Sequence, residues 1–341
     1  MNRIIFTQAK RVLTMIVLGT LLGCAPMKIK RDDPLIGKIF ASEDQREISY
    51  KDWFAKAILA DVIYLGENHE NADHHQIQFD IISDLIKAGK KPQLGFEFFS
   101  VDQTSYLMAY ANGKGKGVHG SVSPKSREKI LRVNLGWQNR SDRNWQFYFR
   151  LIKLAKTHQL TIFGADLPAG TVSRISRGGI DALTPVEKAL LQPTGFNNPA
   201  YKKLMFEKFK ANHCGYARTA HQNRMYQTWV ARNDTMARSI VAMSASRPEE
   251  PVVVILGGGH AEYNMAVFER VRVLSPEIRQ MNLGLQEIYL EPAPLESYLE
   301  TTEIDGVRFE PAHQFFWFTQ RFSYEDPCKR FRKALKKMSK S

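Results

Sequence analysis

Asp61–His75 reads DVIYLGENHENADHH. Val62–Leu65 is a short apolar run that predicts a buried strand, and Gly66 ends it in a turn. Polar residues follow, and then a helix with His74 and His75 in its first turn. An open α/β sheet builds its ligand crevice at the carboxyl ends of its strands, which is where this strand delivers Glu67 and His69. Pro251–His260, PVVVILGGGH, repeats the arrangement. Its run is β-branched apart from Leu256, as expected of a central parallel strand, and it ends in glycines and His260. Between the two, QLGFEF at Gln93–Phe98 sets Glu97 inside an otherwise apolar strand. A buried acid must be paired, protonated or ligating. The expectation is that Glu67, His69, Glu97 and His260 line one crevice.

Working outward, helical spacing is predicted over Ser49–Leu59, over Asp73 to about Lys87, and over Val101–Tyr110, Arg127–Leu135 and Asn144–His158. A third strand is expected at Leu160–Ala165. From Gly178 to Arg247 only helices are expected: Asn198–Phe209, His221–Val230 and Asp234–Ser244, after a strong start at Thr184-Pro185. Final strands are expected at Arg270–Leu274, Gln286–Tyr289 and Val307–Glu310, beside an aromatic patch at Phe315–Phe318. The fold class is therefore α/β: a mostly parallel sheet flanked by helices, with a helical cap inserted before the fourth main strand. The expected divisions are a signal peptide at 1–23, a tether at 24–48, core at 49–177, cap at 178–247, core at 248–320 and a basic tail at 321–341.

Of the 341 residues, 43% are apolar and 24% charged, an ordinary globular balance with room for a large core. The net charge of +13 is concentrated at the two ends of the chain. Seven Lys or Arg and no acid occupy residues 327–341, a run that suits anionic lipid or another acidic surface. Nothing in it reads bases, so no nucleic-acid partner is expected. Arg3, Lys10 and Arg11 precede the apolar run Val12–Leu22, which is too short to span a bilayer. The run closes in Leu21-Leu22-Gly23-Cys24, which resembles a bacterial lipoprotein box with Cys24 as the lipidated residue. Ala25 resembles the outer-membrane-sorted case. Acyl chains on Cys24 would hold the folded body to a membrane by apolar burial. Cys214 and Cys328 either pair in an oxidising compartment or remain a buried thiol and a tail thiol.

Imidazole and carboxylate are ligands for zinc, iron or manganese, so His69, Glu97 and His260 are candidate ligands of a divalent metal. The glycine-rich stretch Gly113–Ser126 lacks phosphate-loop spacing, and neither a G-x-S-x-G elbow nor a G-x-G-x-x-G fingerprint is present. His213, Tyr216, Tyr226 and Met236, with Met225 and Trp229 near them, are candidates to line a flat porphyrin pocket, since haem iron accepts His, Tyr, Cys or Met.

Five short motifs in order bring a family into view. Gly66-Glu67-Asn68-His69, Gly95-Phe96-Glu97-Phe98-Phe99, Asp166-Leu167-Pro168, Arg232-Asn233-Asp234-Thr235-Met236-Ala237 and Gly257-Gly258-Gly259-His260 together resemble ChaN-type haem-binding uptake lipoproteins. These belong to the wider Tiki, TraB and erythromycin-esterase superfamily. The resemblance implies a lipid-anchored protein of haem and iron uptake, at the outer membrane and facing the periplasm. It also implies a homodimer holding haem between subunits with a tyrosine on the iron, and an envelope haem receptor as partner. Superfamily relatives include metal-dependent peptidases and esterases that use Glu and His from the same strand ends. For that alternative, Glu67, His69, Glu97 and His260 are the candidate catalytic residues.

Overall fold

The computed structural model describes residues 31–113, 123–215 and 219–338. The expected signal peptide, Cys24, most of the glycine-rich loop and Tyr216 lie outside the described residues.

The strands are β1 (Ile39–Ala41), β2 (Arg46–Ile48), β3 (Val62–Glu67), β4 (Gln93–Ser100), β5 (Ile162–Asp166), β6 (Val252–Gly257), β7 (Gln280–Glu287), β8 (Thr302–Ile304), β9 (Val307–Phe309) and β10 (Phe315–Thr319). The α-helices are α1 (Tyr50–Ala57), α2 (Ala72–Lys87), α3 (Thr104–Ala111), α4 (Pro124–Asn134), α5 (Asp142–His158), α6 (Ala169–Gly178), α7 (Pro185–Leu190), α8 (Pro199–Asn212), α9 (Thr219–Ser246), α10 (Val267–Leu274) and α11 (Pro327–Met338). Eight strands form one sheet in the order β2-β1-β10-β7-β3-β6-β4-β5. Pairing is parallel from β10 through to β5, and β1 and β2 add an antiparallel edge. The sheet is thus mostly parallel and flanked by helices, and the helices between β5 and β6 form the expected insertion.

The central strands are apolar because both their faces are covered. Ile63 and Leu65 point into one core with α2 and α5, while Val62 and Tyr64 point into another with α9 and α10. All four are fully buried, and each such side chain contributes about 1.5–3 kcal/mol. Strands β3, β6 and β4 are neighbours, with Glu67 level with Gly257. Their carboxyl ends therefore open at one edge. Between Phe96 and Ser100 the pairing of β4 with β5 shifts register, a bulge that re-aims Glu97.

Four expectations are corrected. Arg270–Leu274 is helix, not strand: Val267, Phe268 and Val271 share a helical face against the sheet. The strand follows as β7. Residues 39–48 of the expected tether belong to the sheet edge, because Ile39 and Ile48 bury against the main core. Phe315–Phe318 is not merely an aromatic patch but strand β10, paired with β7. The two helices expected at His221–Val230 and Asp234–Ser244 are one 28-residue helix, α9. Asn233 and Asp234, at the expected junction, are both buried and hydrogen-bonded inside the fold.

Residues 327–338 of the basic tail form α11, and Cys214 is bonded to Cys328. The disulfide fastens the start of α11 to the turn between α8 and α9. No helix among the described residues is long and apolar enough to cross a membrane.

Candidate functional site

Glu67 ends β3 with its carboxylate buried. Oε1 accepts from the Tyr148 hydroxyl at 2.6 Å and lies 3.1 Å from His69 Nδ1, and Oε2 accepts from Gln78 Nε2 at 2.7 Å. A carboxylate only accepts, so His69 Nδ1 carries the proton and Nε2 is left as the basic nitrogen. Among the described residues Nε2 takes part in no hydrogen bond. The His69 side chain is 47% exposed and meets Phe98 edge-on at 4.7 Å. Burial pulls this imidazole down, but the bond to Glu67 and the charges of Glu97 and Glu67 outweigh it. Its pKa is raised above 6.5.

Glu97 is held differently. Oε1 accepts from Arg232 at 2.7 Å and lies 3.2 Å from His260 Nε2, and Oε2 accepts from the Gly257 N–H at 2.6 Å. Arg232 also grips Asp166 at 2.6 Å, so one guanidinium bridges the acids at the ends of β4 and β5. His260 Nδ1 lies 2.9 Å from Asn233 Oδ1, and its ring stacks on Trp229 at 4.1 Å. Burial opposes the charge on Glu97, but His260 and Arg232 overcome it and hold the pKa well below the usual carboxylate range. For Asp166 burial wins over Arg232 and the pKa is raised.

Gly257 joins the two groups. A Cβ there would lie 2.7 Å from His69 Cε1 and 3.4 Å from Glu97 Oε2. The imidazole therefore rests over the glycine backbone, in space that a side chain would take.

Glu67, His69, Glu97 and His260 thus cluster at one edge of the sheet, around Gly257. Among the described residues no three His, Cys, Asp or Glu groups converge as a metal site. Arg232 is the cation between the carboxylates. Met236 is fully buried in the core between α9 and the sheet, so its sulfur is not free to ligate. His213 hydrogen-bonds the Phe209 carbonyl through Nδ1 at 2.8 Å, close to the disulfide rather than the crevice. Tyr226 packs edge-on to Phe206 in the cap, and its hydroxyl takes part in no hydrogen bond among the described residues. It lies two turns along α9 from Asn233, about 10 Å.

The roles of Arg232, Asn233, Trp229, Tyr148 and Gln78 escaped sequence reasoning. Arg232 and Asp166 stood in recognisable motifs, and a third acid at a third strand end was the available signal. The others are helical residues whose partners lie on other elements.

A family described as "Haem-binding uptake, Tiki superfamily, ChaN" matches residues 53–271. Among curated protein sequences, none matches. The fold is similar to that of ChaN of Campylobacter jejuni, a structure described as showing cofacial heme binding. There the TM-score is 0.59 with 17% identity, over 82% of this chain and 95% of that one. An erythromycin esterase in its open conformation is more distantly similar, at TM-score 0.47 and 10% identity over 85% and 99%. With the matched region spanning well over half its length, the chain belongs to the ChaN haem-binding uptake family of the Tiki superfamily.

Proposed function

We propose that this chain binds haem at the cell envelope, as a lipoprotein anchored through Cys24 that takes part in haem and iron uptake. The observation that carries the reading is the His69–Glu67 pair. A ligating histidine usually donates its second ring N–H to a carboxylate, which fixes the ring and raises the basicity of the free nitrogen. Here Nδ1 meets Glu67 and Nε2 is free in a half-exposed ring. The donor set fits haem better than a bare cation. The porphyrin supplies four nitrogens, so the protein needs to add only one or two axial donors.

In this reading His69 Nε2 contacts the iron, Glu67 orients the ring, and Tyr226 is the candidate tyrosine donor in the cap. Bound haem would supply a redox-active iron. Arg232 and His260 act through Glu97 by holding the crevice wall. The reading includes a homodimer with haem held between its subunits, and the solved ChaN of Campylobacter jejuni is described as binding heme cofacially. An envelope location, at the outer membrane facing the periplasm, agrees with the Cys214–Cys328 disulfide, since such bonds persist in oxidising compartments. An envelope haem receptor would be the delivery partner. Adding haem to the purified chain is expected to give a saturable, shifted Soret band, and no shift at equimolar haem overturns the reading.

A second reading is a hydrolase. It is favoured by the same pair, because a carboxylate-oriented imidazole with a free nitrogen is a general-base arrangement. Ester or peptide cleavage by the unsubstituted chain, abolished in His69→Gln, would support it.

A further inference from the structure

The helical period puts positions 329, 332, 333 and 336 on one face of α11, and all four are Lys or Arg. Lys329 and Arg332 are exposed. Cys328 and Phe331 lie on the opposite side, where Cys328 is bonded to Cys214 and Phe331 meets His213 at 5.9 Å. α11 is thus fastened along its inner side, and Lys329 and Arg332 stand outward. The helix carries six Lys or Arg and no acid.

A second observation says what that face meets. Arg31 is clasped to the segment just before α11. Its N–H donates to Gln320 Oε1 at 3.2 Å, its carbonyl accepts from Gln320 Nε2 at 2.6 Å, and its guanidinium lies 4.9 Å from the Tyr324 ring centroid. Arg31 lies seven positions after Cys24, a reach of at most about 25 Å. The crevice mouth lies on the same side. Asn71, two residues past His69, donates to the Gln320 carbonyl at 2.8 Å, and Arg330 of α11 pairs with Glu70 at 3.0 Å.

We propose that the outward face of α11 docks on anionic phospholipid and turns the carboxyl edge of the sheet, with its crevice mouth, toward the bilayer. The orientation rests on reading Cys24 as the anchor; the affinity of α11 for lipid does not. Acyl chains on Cys24 would tether the chain without orienting it, and a basic surface is what would set its orientation. Each Lys or Arg near an anionic surface adds about fivefold to binding, and salt weakens it within a Debye length.

The test uses the full chain carrying Cys24→Ser, so that no acyl chain contributes. It is floated with phosphatidylcholine vesicles, with and without about one-third phosphatidylglycerol. The expected result is at least ~20-fold tighter partitioning on the anionic vesicles, lost in the variant K329Q/R332Q/K333Q/K336Q. That variant should keep the same melting temperature and haem titration, which excludes misfolding as the cause. Equal partitioning on the two vesicle types overturns the proposal. So does displacement by inorganic phosphate beyond that of sodium chloride at matched ionic strength, which would mark a small-anion site. Acyl mass on the unsubstituted chain is measured separately, so a failed anchor and a failed helix are told apart.

Discussion

Two strand ends in this molecule carry the same chemistry, a carboxylate beside an imidazole, and they are built for different ends. At β6 and β4, Glu97 is surrounded by Arg232, His260 and the Gly257 amide, while His260 stacks on Trp229 and hydrogen-bonds Asn233. Both His260 nitrogens are engaged there. At β3, Glu67 holds one nitrogen of His69 and leaves the other unbonded in a half-exposed ring. Residue types do not separate a wall from a working group; the count of satisfied atoms does. The saturated cluster positions the crevice, and the unsaturated pair is where a ligand gains something.

Removing a partner from the saturated cluster should have the largest effect. Arg232→Ala leaves Glu97 and Asp166 as buried acids without their shared cation, a loss of about 3–5 kcal/mol. Thermal or urea unfolding should show it even without haem. A loss below ~1 kcal/mol would mean the cluster is not the structural half of the pair.

Gly257→Ala touches both halves at once. The added methyl falls where the His69 ring rests, against the movable end of a side chain rather than backbone. The ring should swing out, and haem binding should weaken about tenfold, or ~1.4 kcal/mol, with stability changed by less than ~1 kcal/mol. Unchanged haem affinity in this variant would place the ligand away from His69.

Acid should separate the two regions by pH. The folded pKa of His69 is raised, so protonation of Nε2 competes with iron and haem affinity should fall as pH drops through a midpoint above 6.5. The same shift makes a stabilising contribution that is complete below 6.5 and lost as pH rises through the folded pKa. The buried histidines behave in the opposite sense. Burial holds His74 at about 3 and His313 at about 4. Each contributes stability above the unfolded value of 6.5 and loses it as pH falls toward the folded pKa. Haem release on mild acidification should therefore precede acid unfolding.

Much of the architecture was legible because burial on both faces forces apolar, β-branched strands, and the runs at Val62–Leu65 and Val252–Leu256 have no other reading. The crevice was legible because glycine turns and polar residues stand where such strands end. Arg270–Leu274 misled because Val271 and Val273 alternate with charged residues and mimic a strand, while the decisive contacts are helical and long-range. Arg232 was hidden as a binding-site residue for a related reason. It projects from the middle of α9 onto Glu97, 135 positions away in sequence, and only the folded cap brings the two together.

The central claim is that the open His69–Glu67 pair holds the ligand. The most direct measurement is a Soret-monitored haem titration of the unsubstituted chain and of His69→Ala in parallel, each checked by its melting curve. The account predicts at least ~10-fold weaker binding in His69→Ala with melting nearly unchanged. Equal affinities in two folded proteins would contradict it.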